Sequence, residues 1–244
     1  RLRSPAGSCR VGATMVTVIS LGGSIVAPAS GIDPEFLRTL RSAFLRYLEE
    51  DNERKLILVV GGGALARTYQ KAVRGVLEHV PDAPLDWLGI WATRVNAQLV
   101  RAILNDLCPD EIATDPTVKA ELTGRVLVSG GWKPGFSTDN VAVHFAKTYG
   151  ATRVVNLSNI EKVYTADPKT DPDAKPIDTI SWNEYRRLIG TTWEPGKNSP
   201  FDPVASETAE RLGLEVINAS GTNIPNLEAI LRGSPFVGTT IRPG

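Results

Sequence analysis

The chain has 244 residues, 42% hydrophobic and 22% charged, and its 27 Lys and Arg are balanced by 27 Asp and Glu. That composition fits a folded globular protein with one large α/β domain or two tightly joined lobes, and zero net charge counts against a bulk nucleic-acid binder. No apolar run approaches the length of a membrane span, and Cys9 and Cys108 form neither a disulfide framework nor a metal-ligand spacing, which fits free thiols in a reducing cytoplasm.

Residues 1–14 are basic and lack an apolar segment, so they are not a secretory signal and read as a non-native or disordered extension ahead of Met15, with an amphipathic transit peptide as the alternative. Val16 to Leu21 is a β-branched run stopped by Gly22-Gly23-Ser24, as expected of a buried strand. Asp33-Pro34-Glu35 supplies a helix cap and first turn, and Phe36, Leu37, Leu40, Phe44, Leu45 and Leu48 follow at helical spacing. "KLILVV" (55–60) is a second buried strand running into Gly61-Gly62-Gly63, with a helix over 64–80 behind it. "PDAP" (81–84) reads as a breaker before a long helix from Leu85 to Leu107. A strand is expected at Glu111 to Ala113, and another in "GRVLVSGG" (124–131). "STDNVAVHFAKTYG" (137–150) has the Ser/Thr start and Gly stop of a helix.

In the second half, "RVVNLS" (153–158) is a strand and "DPKTDPDAKP" (167–176) a proline-rich excursion. "SWNEYRRLIG" (181–190) and "DPVASETAERLG" (202–213) are helices, and "LEVINAS" (214–220) is a strand. "IPNLEAILRG" (224–233) is a helix, and "FVGTTI" (236–241) the closing strand. Strands alternating with helices predict βαβ units, hence a three-layer αβα sandwich around a mainly parallel sheet. A change of character near Tyr149 to Thr152 divides it into lobes, 15–150 and 151–244, without a flexible tether.

Three strands end in glycine turns, and parallel strands put all three turns on one edge of the sheet, where α/β proteins bind ligands. Glycines there let backbone N–H groups close on an anion at the positive end of the next helix. A single glycine turn is most often only a turn; three together point to a phosphate-bearing ligand. None matches the P-loop or dinucleotide patterns. Arg67, one helical turn past the triple glycine, is placed either to fold over phosphate oxygens or to lie solvated on its helix. Asp139 reads either as a capping-turn acid or as a group orienting the phosphate donors. No side chain makes a convincing base: His79 and His144 both fall in expected helices.

The ordered set "VISLGGSIV", "LVVGGGALARTY", "DWLGIWATRVNAQLV", "GGWKPGFSTDNVAV", "LSNIEKVYTADPKTDPDAKPI", "FDPVASETAERLGLEVI" and "VGTTI" resembles the amino acid kinase family from Met15 to Ile241. Within the family it looks most like the archaeal-type uridylate (UMP) kinases. The resemblance implies transfer of the ATP γ-phosphoryl to UMP, with Mg²⁺ accompanying ATP. It also implies a homo-oligomer, commonly a hexamer, and no nucleic-acid or membrane partner. Carried across by motif, Gly23, Ser24, Gly63 and Arg67 would contact ATP phosphates, while Ser158, Asn159, Tyr164 and Asp167 would frame the adenosine. Gly62, Asp86 and the loop Trp132, Lys133, Pro134, Gly135, Phe136, Ser137 and Thr138 would bind UMP, with Asp86 accepting from ribose hydroxyls. Arg67 and Asp139 would be the catalytic pair, and no residue is expected as a direct metal ligand.

Two departures stand out. Ser20 occupies the position where many family members carry Lys, and Lys162 replaces a family glycine beside the expected ATP site. Arg67, Mg²⁺ and Lys133 or Lys162 are candidate replacements for the missing cation, with a solvated loop lysine as the plainer reading of Lys162. Two other uses of the fold compete. One is a catalytically weak nucleotide- or oxyanion-binding storage protein. The other is a kinase for a different small acceptor such as isopentenyl phosphate, which would require an acceptor-site histidine.

Overall fold

The structure is a computed structural model that describes residues 15–168, 170–190 and 199–244. The extension expected over 1–14 lies outside the described residues. A seven-stranded sheet runs in the order β3-β2-β1-β4-β8-β9-β7. Its strands are β1 (Met15–Leu21), β2 (Arg54–Val60), β3 (Val126–Ser129), β4 (Arg153–Ser158), β7 (Thr179–Ser181), β8 (Glu215–Ser220) and β9 (Thr239–Arg242). β3, β2, β1, β4 and β8 are parallel, β9 runs antiparallel to β8, and β7 lies parallel to β9. The sheet is therefore mainly parallel, as its near-continuous apolar strands require.

The pleat gives each face its own core. Ile19, Leu21, Leu56, Leu58, Val155 and Leu157 face α2 (Pro34–Glu49), α4 (Asp82–Ile103) and α8 (Ile224–Arg232). Val18, Ile57, Leu127, Val154 and Val216 face α5 (Thr138–Tyr149), α6 (Trp182–Ile189) and α7 (Pro203–Arg211). Alternation of period two on strands buried on both sides produces this double core. Asp33 caps α2, accepting from the N–H groups of Glu35 and Phe36. Ser137 caps α5, which ends at Gly150 in the left-handed conformation with φ 71°.

Several boundaries differ from the expectation. α3 (Gly63–Val76) stops short of residue 80, so His79 lies in the exposed link to α4 rather than in a helix; His144 does lie in α5. "PDAP" is no breaker but the entry of α4, with Pro81 as cap and Pro84 in the first turn, where the missing N–H has no helical partner to lose. At its far end α4 gives way after Ile103 to a short 3₁₀ turn, Asn105–Leu107. The strand expected at 111–113 reduces to one bridge between Ala113 and Ser129. The closing strand begins only at Thr239. The proline-rich excursion is bracketed by a small antiparallel hairpin, β5 (Val163–Tyr164) with β6 (Pro176–Ile177).

Candidate active site

β1, β2 and β3 lie side by side, so their three glycine turns meet at the C-terminal edge of the sheet. The first two are packed backbone against backbone. A Cβ on Gly23 would lie 2.0 Å from the Gly63 nitrogen, and one on Gly63, at φ +60°, would lie 2.3 Å from the Gly23 carbonyl oxygen. Side chains are excluded there by contact. Gly22 donates to the Leu157 carbonyl at 2.8 Å, tying the first turn to β4 as well. Gly23 and Ser24 open the four-residue helix α1 (Gly23–Val26), and Gly62 caps α3.

Beside these turns lies a cleft of about 300 Å³. Gly62, Gly63 and Arg67 line one wall from α3, and Asp86 faces them from α4. Lys133, Phe136, Ser137 and Thr138 close it from the segment leading into α5. Trp132, Pro134 and Gly135 belong to the same loop but do not line the cleft. Trp132 packs edge-on against Phe136, with centroids 4.7 Å apart, and the Lys133 ammonium lies over the Trp132 ring at 4.0 Å. Asp86 accepts from the Gly135 N–H at 2.9 Å, so it fixes the loop while lining the cleft. Arg67 is exposed and forms no ion pair with any described residue.

Asp139, in the first turn of α5, is the buried charge of the site. Its Oδ1 accepts from the Ser20 hydroxyl at 2.9 Å, and its Oδ2 from the Asp202 N–H at 3.2 Å. Burial pushes its pKa up to about 6, reinforced by the neighbouring Asp202, while the Ser20 bond and the Asp202 N–H work in the opposite direction. Asp202 is itself raised by burial. Ser20 thus fills its position as a neutral donor to Asp139. Of the proposed replacement cations, Lys162 is tied to Asp178 in an ion pair and is neither a free cation nor a simply solvated lysine. Burial, with Lys147, Arg211 and Lys133 nearby, lowers the pKa of His144, which packs against Trp132 and Phe136 as a structural residue.

Ser158 ends β4, its hydroxyl accepting from the Ile160 N–H at 3.1 Å, with Asn159 exposed next to it. Tyr164 sits in β5, and the Asp167 carbonyl closes the following turn by accepting from Thr170 and Asp171. Only Ser158 is part of the main sheet, at the C-terminal end of β4, and none of the four lines the cleft.

The sequence reading assigned no role to the supports beneath the glycine turns. Thr93 Oγ1 accepts from the Gly131 N–H at 2.6 Å, and Asn96 Nδ2 donates to Gly61 O at 2.8 Å. Arg94 donates to the carbonyls of Gly131 and Trp132 at 3.2 and 3.1 Å. All three lie in "TRVNA", so the motif was visible but its partners, dozens of residues away, were not. Gln70, also on the cleft wall, had no local signal.

Convergent glycine turns at the sheet edge, beside a cleft lined by Arg67, Lys133 and the Asp86 carboxylate, define a phosphate-binding α/β protein. A model of the amino acid kinase family matches residues 15–218. The uridylate kinase of Methanothrix thermoacetophila is 36% identical over 231 residues, covering 93% of this chain and 100% of that protein. The uridylate kinase of Pyrococcus abyssi is 33% identical over 232 residues, covering 94% and 100%. The crystal structure of uridylate kinase from Archaeoglobus fulgidus matches with a TM-score of 0.78 and 31% identity, over 93% of this chain and 100% of that one. The UMP kinase structure from Bacillus anthracis, at 18% identity and a TM-score of 0.72 over 94% and 96%, shares the fold. The chain belongs to the amino acid kinase family.

Proposed function

We propose that the chain is a UMP kinase, transferring the γ-phosphoryl of ATP to UMP to give UDP and ADP in pyrimidine nucleotide synthesis. The observation that carries this reading is the cleft lined by Arg67, Asp86, Lys133, Phe136, Ser137 and Thr138 beside the packed glycine turns. The similarity to uridylate kinases over almost the whole chain supports the same acceptor. Storage and other small-acceptor readings are not favoured; neither described histidine lines the cleft.

In this reading the 15–150 lobe holds UMP and the 151–244 lobe holds ATP. Gly23, Ser24 and Gly63 offer backbone N–H groups to the ATP phosphates, and Ser158, Asn159, Tyr164 and Asp167 border the adenosine. Gly62 and the loop from Trp132 to Thr138 enclose UMP. One oxygen of Asp86 is engaged by Gly135, leaving the other for a ribose hydroxyl. The Arg67 guanidinium spans both phosphates, and Asp139 holds the α5 entry in place through Ser20 and Asp202. Phosphoryl transfer needs alignment and matched charge more than covalent help, and the acceptor phosphate is already ionised near neutrality, so no general base is required.

Mg²⁺, when bound with ATP, supplies charge neutralisation for the transferring group. An ion carried mainly by ATP oxygens would need few ligands from the protein itself. Assembly into a homo-hexamer belongs to the same proposal. Trp87, Trp91 and Val95 form an exposed stripe one turn apart along α4, and Tyr69 on neighbouring α3 is also exposed. The working compartment is the cytoplasm, where ATP and a reduced Cys108 thiol coexist; no helix among the described residues is long and apolar enough to cross a membrane.

The test is a coupled assay with ATP, Mg²⁺ and a panel of UMP, CMP, dUMP and amino-acid acceptors. UDP formation with UMP preferred is the expected result. Nucleotide binding without turnover on any acceptor would contradict the proposal.

A further inference from the structure

A row of buried polar side chains crosses the sheet interior where apolar residues would be expected. In register, Ser129, Ser20, Asn156, Asn218 and Thr239 share the face covered by α5, α6 and α7, with Val59 the one apolar member between the two serines. The polar members are 0–4% exposed. One layer deeper on the same face come Val18, Ile57, Leu127, Val154 and Val216. Asn156 donates through Nδ2 to Asn218 Oδ1 at 2.6 Å and to the Pro200 carbonyl at 2.8 Å. Asn218 Nδ2 is buried without a hydrogen-bond partner. Such a pair is less stable than two packed aliphatic side chains, because a buried amide group left unpaired carries its full desolvation cost. Its location gives a geometric reason for it. Two residues beyond Pro200, the Asp202 N–H holds Asp139, and between them Phe201 is gripped at its N–H and carbonyl by the Tyr185 hydroxyl.

We infer that Asn156 is a positioning residue for phosphoryl transfer: seated against Asn218, it holds the Pro200–Asp202 segment at the height from which the Asp202 N–H fixes the Asp139 carboxylate. The inference rests on the kinase reading. A wild-type chain that makes no UDP sinks that reading, whereas an active wild type with unaffected variants sinks only this one.

The test compares the full chain with Asn156→Val, Asn218→Val and the double variant for melting temperature, kcat, KM for UMP and the pH dependence of kcat around pH 6. Replacing both amides by aliphatic groups removes the unpaired Asn218 donor but also takes the donor from the Pro200 carbonyl, so the two effects oppose and the double variant is expected to melt within roughly 5 °C of wild type. Its kcat is expected to fall about 10- to 100-fold with KM changed less than about twofold, because alignment rather than ground-state binding is lost. Asn218→Val keeps the bond to Pro200 and is expected to retain kcat within about twofold. The charged group acting on Asp139 is Asp202 at the α7 entry; Tyr185 on α6 is kept neutral by burial, and Ser20 supplies a neutral donor from β1. Weakening the Asp202 N–H contact removes a bond to the charged form, so the acid limb moves to higher pH in both variants lacking Asn156. Should the double variant not fold, Asn156→Val decides on the same readouts. Wild-type kcat and an unmoved acid limb without Asn156 overturn the inference, as does a kcat loss matched by Asn218→Val.

Discussion

Asp139 is raised from 3.8 to about 6. The folded chain therefore holds this proton more tightly than the unfolded chain. Stability falls as pH rises from 3.8 to about 6 and stays lower above it, by on the order of 2–3 kcal/mol. Asp139→Asn removes that penalty while keeping a donor and an acceptor for its neighbours. It is expected to melt roughly 5 °C above wild type at alkaline pH, to converge with wild type at acid pH, and to lose kcat. A melting-temperature gap independent of pH would contradict the assignment. Arg67 gives the complementary case. It is exposed and makes no ion pair among the described residues, so Arg67→Ala should leave the melting temperature unchanged. It should lower kcat/KM about 100-fold through loss of charge-assisted bonds worth roughly 2–3 kcal/mol. Lys162→Ala, which breaks only the pair with Asp178, should leave kcat/KM within about twofold. Steady-state kinetics on the two variants separates a phosphate-binding cation from a structural one.

At the scale of elements, α4 does more than cover the sheet: Thr93, Arg94 and Asn96 hold the second and third glycine turns in fixed relation. Thr93→Val keeps the volume and leaves the buried Gly131 N–H unpaired, at a cost of about 1–3 kcal/mol. Thermal denaturation should show a melting temperature lower by roughly 2–10 °C, with a raised KM for UMP; an unchanged melting temperature would mean that the loop has another support. The elements themselves were largely legible because both periodicities are strong: β-branched runs bounded by glycine, and Leu and Phe at helical spacing in α2. The failures had local causes. Pro84 reads as a stop although a first helical turn tolerates it, and the two-residue strands β5 and β6 are too short to carry a period. The glycine turns were read as anion cradles from sequence, but their mutual contact depends on β1 and β2 being neighbours, which no local pattern encodes.

For the molecule as a whole, the sequence carried the sandwich and the edge of the sheet on which the chemistry sits. It did not carry the bonds from Ser20 to Asp139 or from Asp202 to Asp139, which join residues 119 and 63 positions apart. Assembly is decided at this scale too. If the proposed hexamer forms through the exposed α4 stripe, Trp91→Glu with Val95→Lys should give smaller species than wild type in light scattering without unfolding the chain; an unchanged mass would move the interface elsewhere. The central claim is that donor and acceptor cradles face each other across one edge of the sheet. Its most direct test is calorimetric titration with a bisubstrate compound in which adenosine and uridine are joined through a chain of five phosphates. One molecule per chain, bound at least about 100-fold more tightly than ATP or UMP alone, is the predicted result, since tethering converts the second binding event into an intramolecular one. Affinity no greater than that of ATP by itself would contradict it.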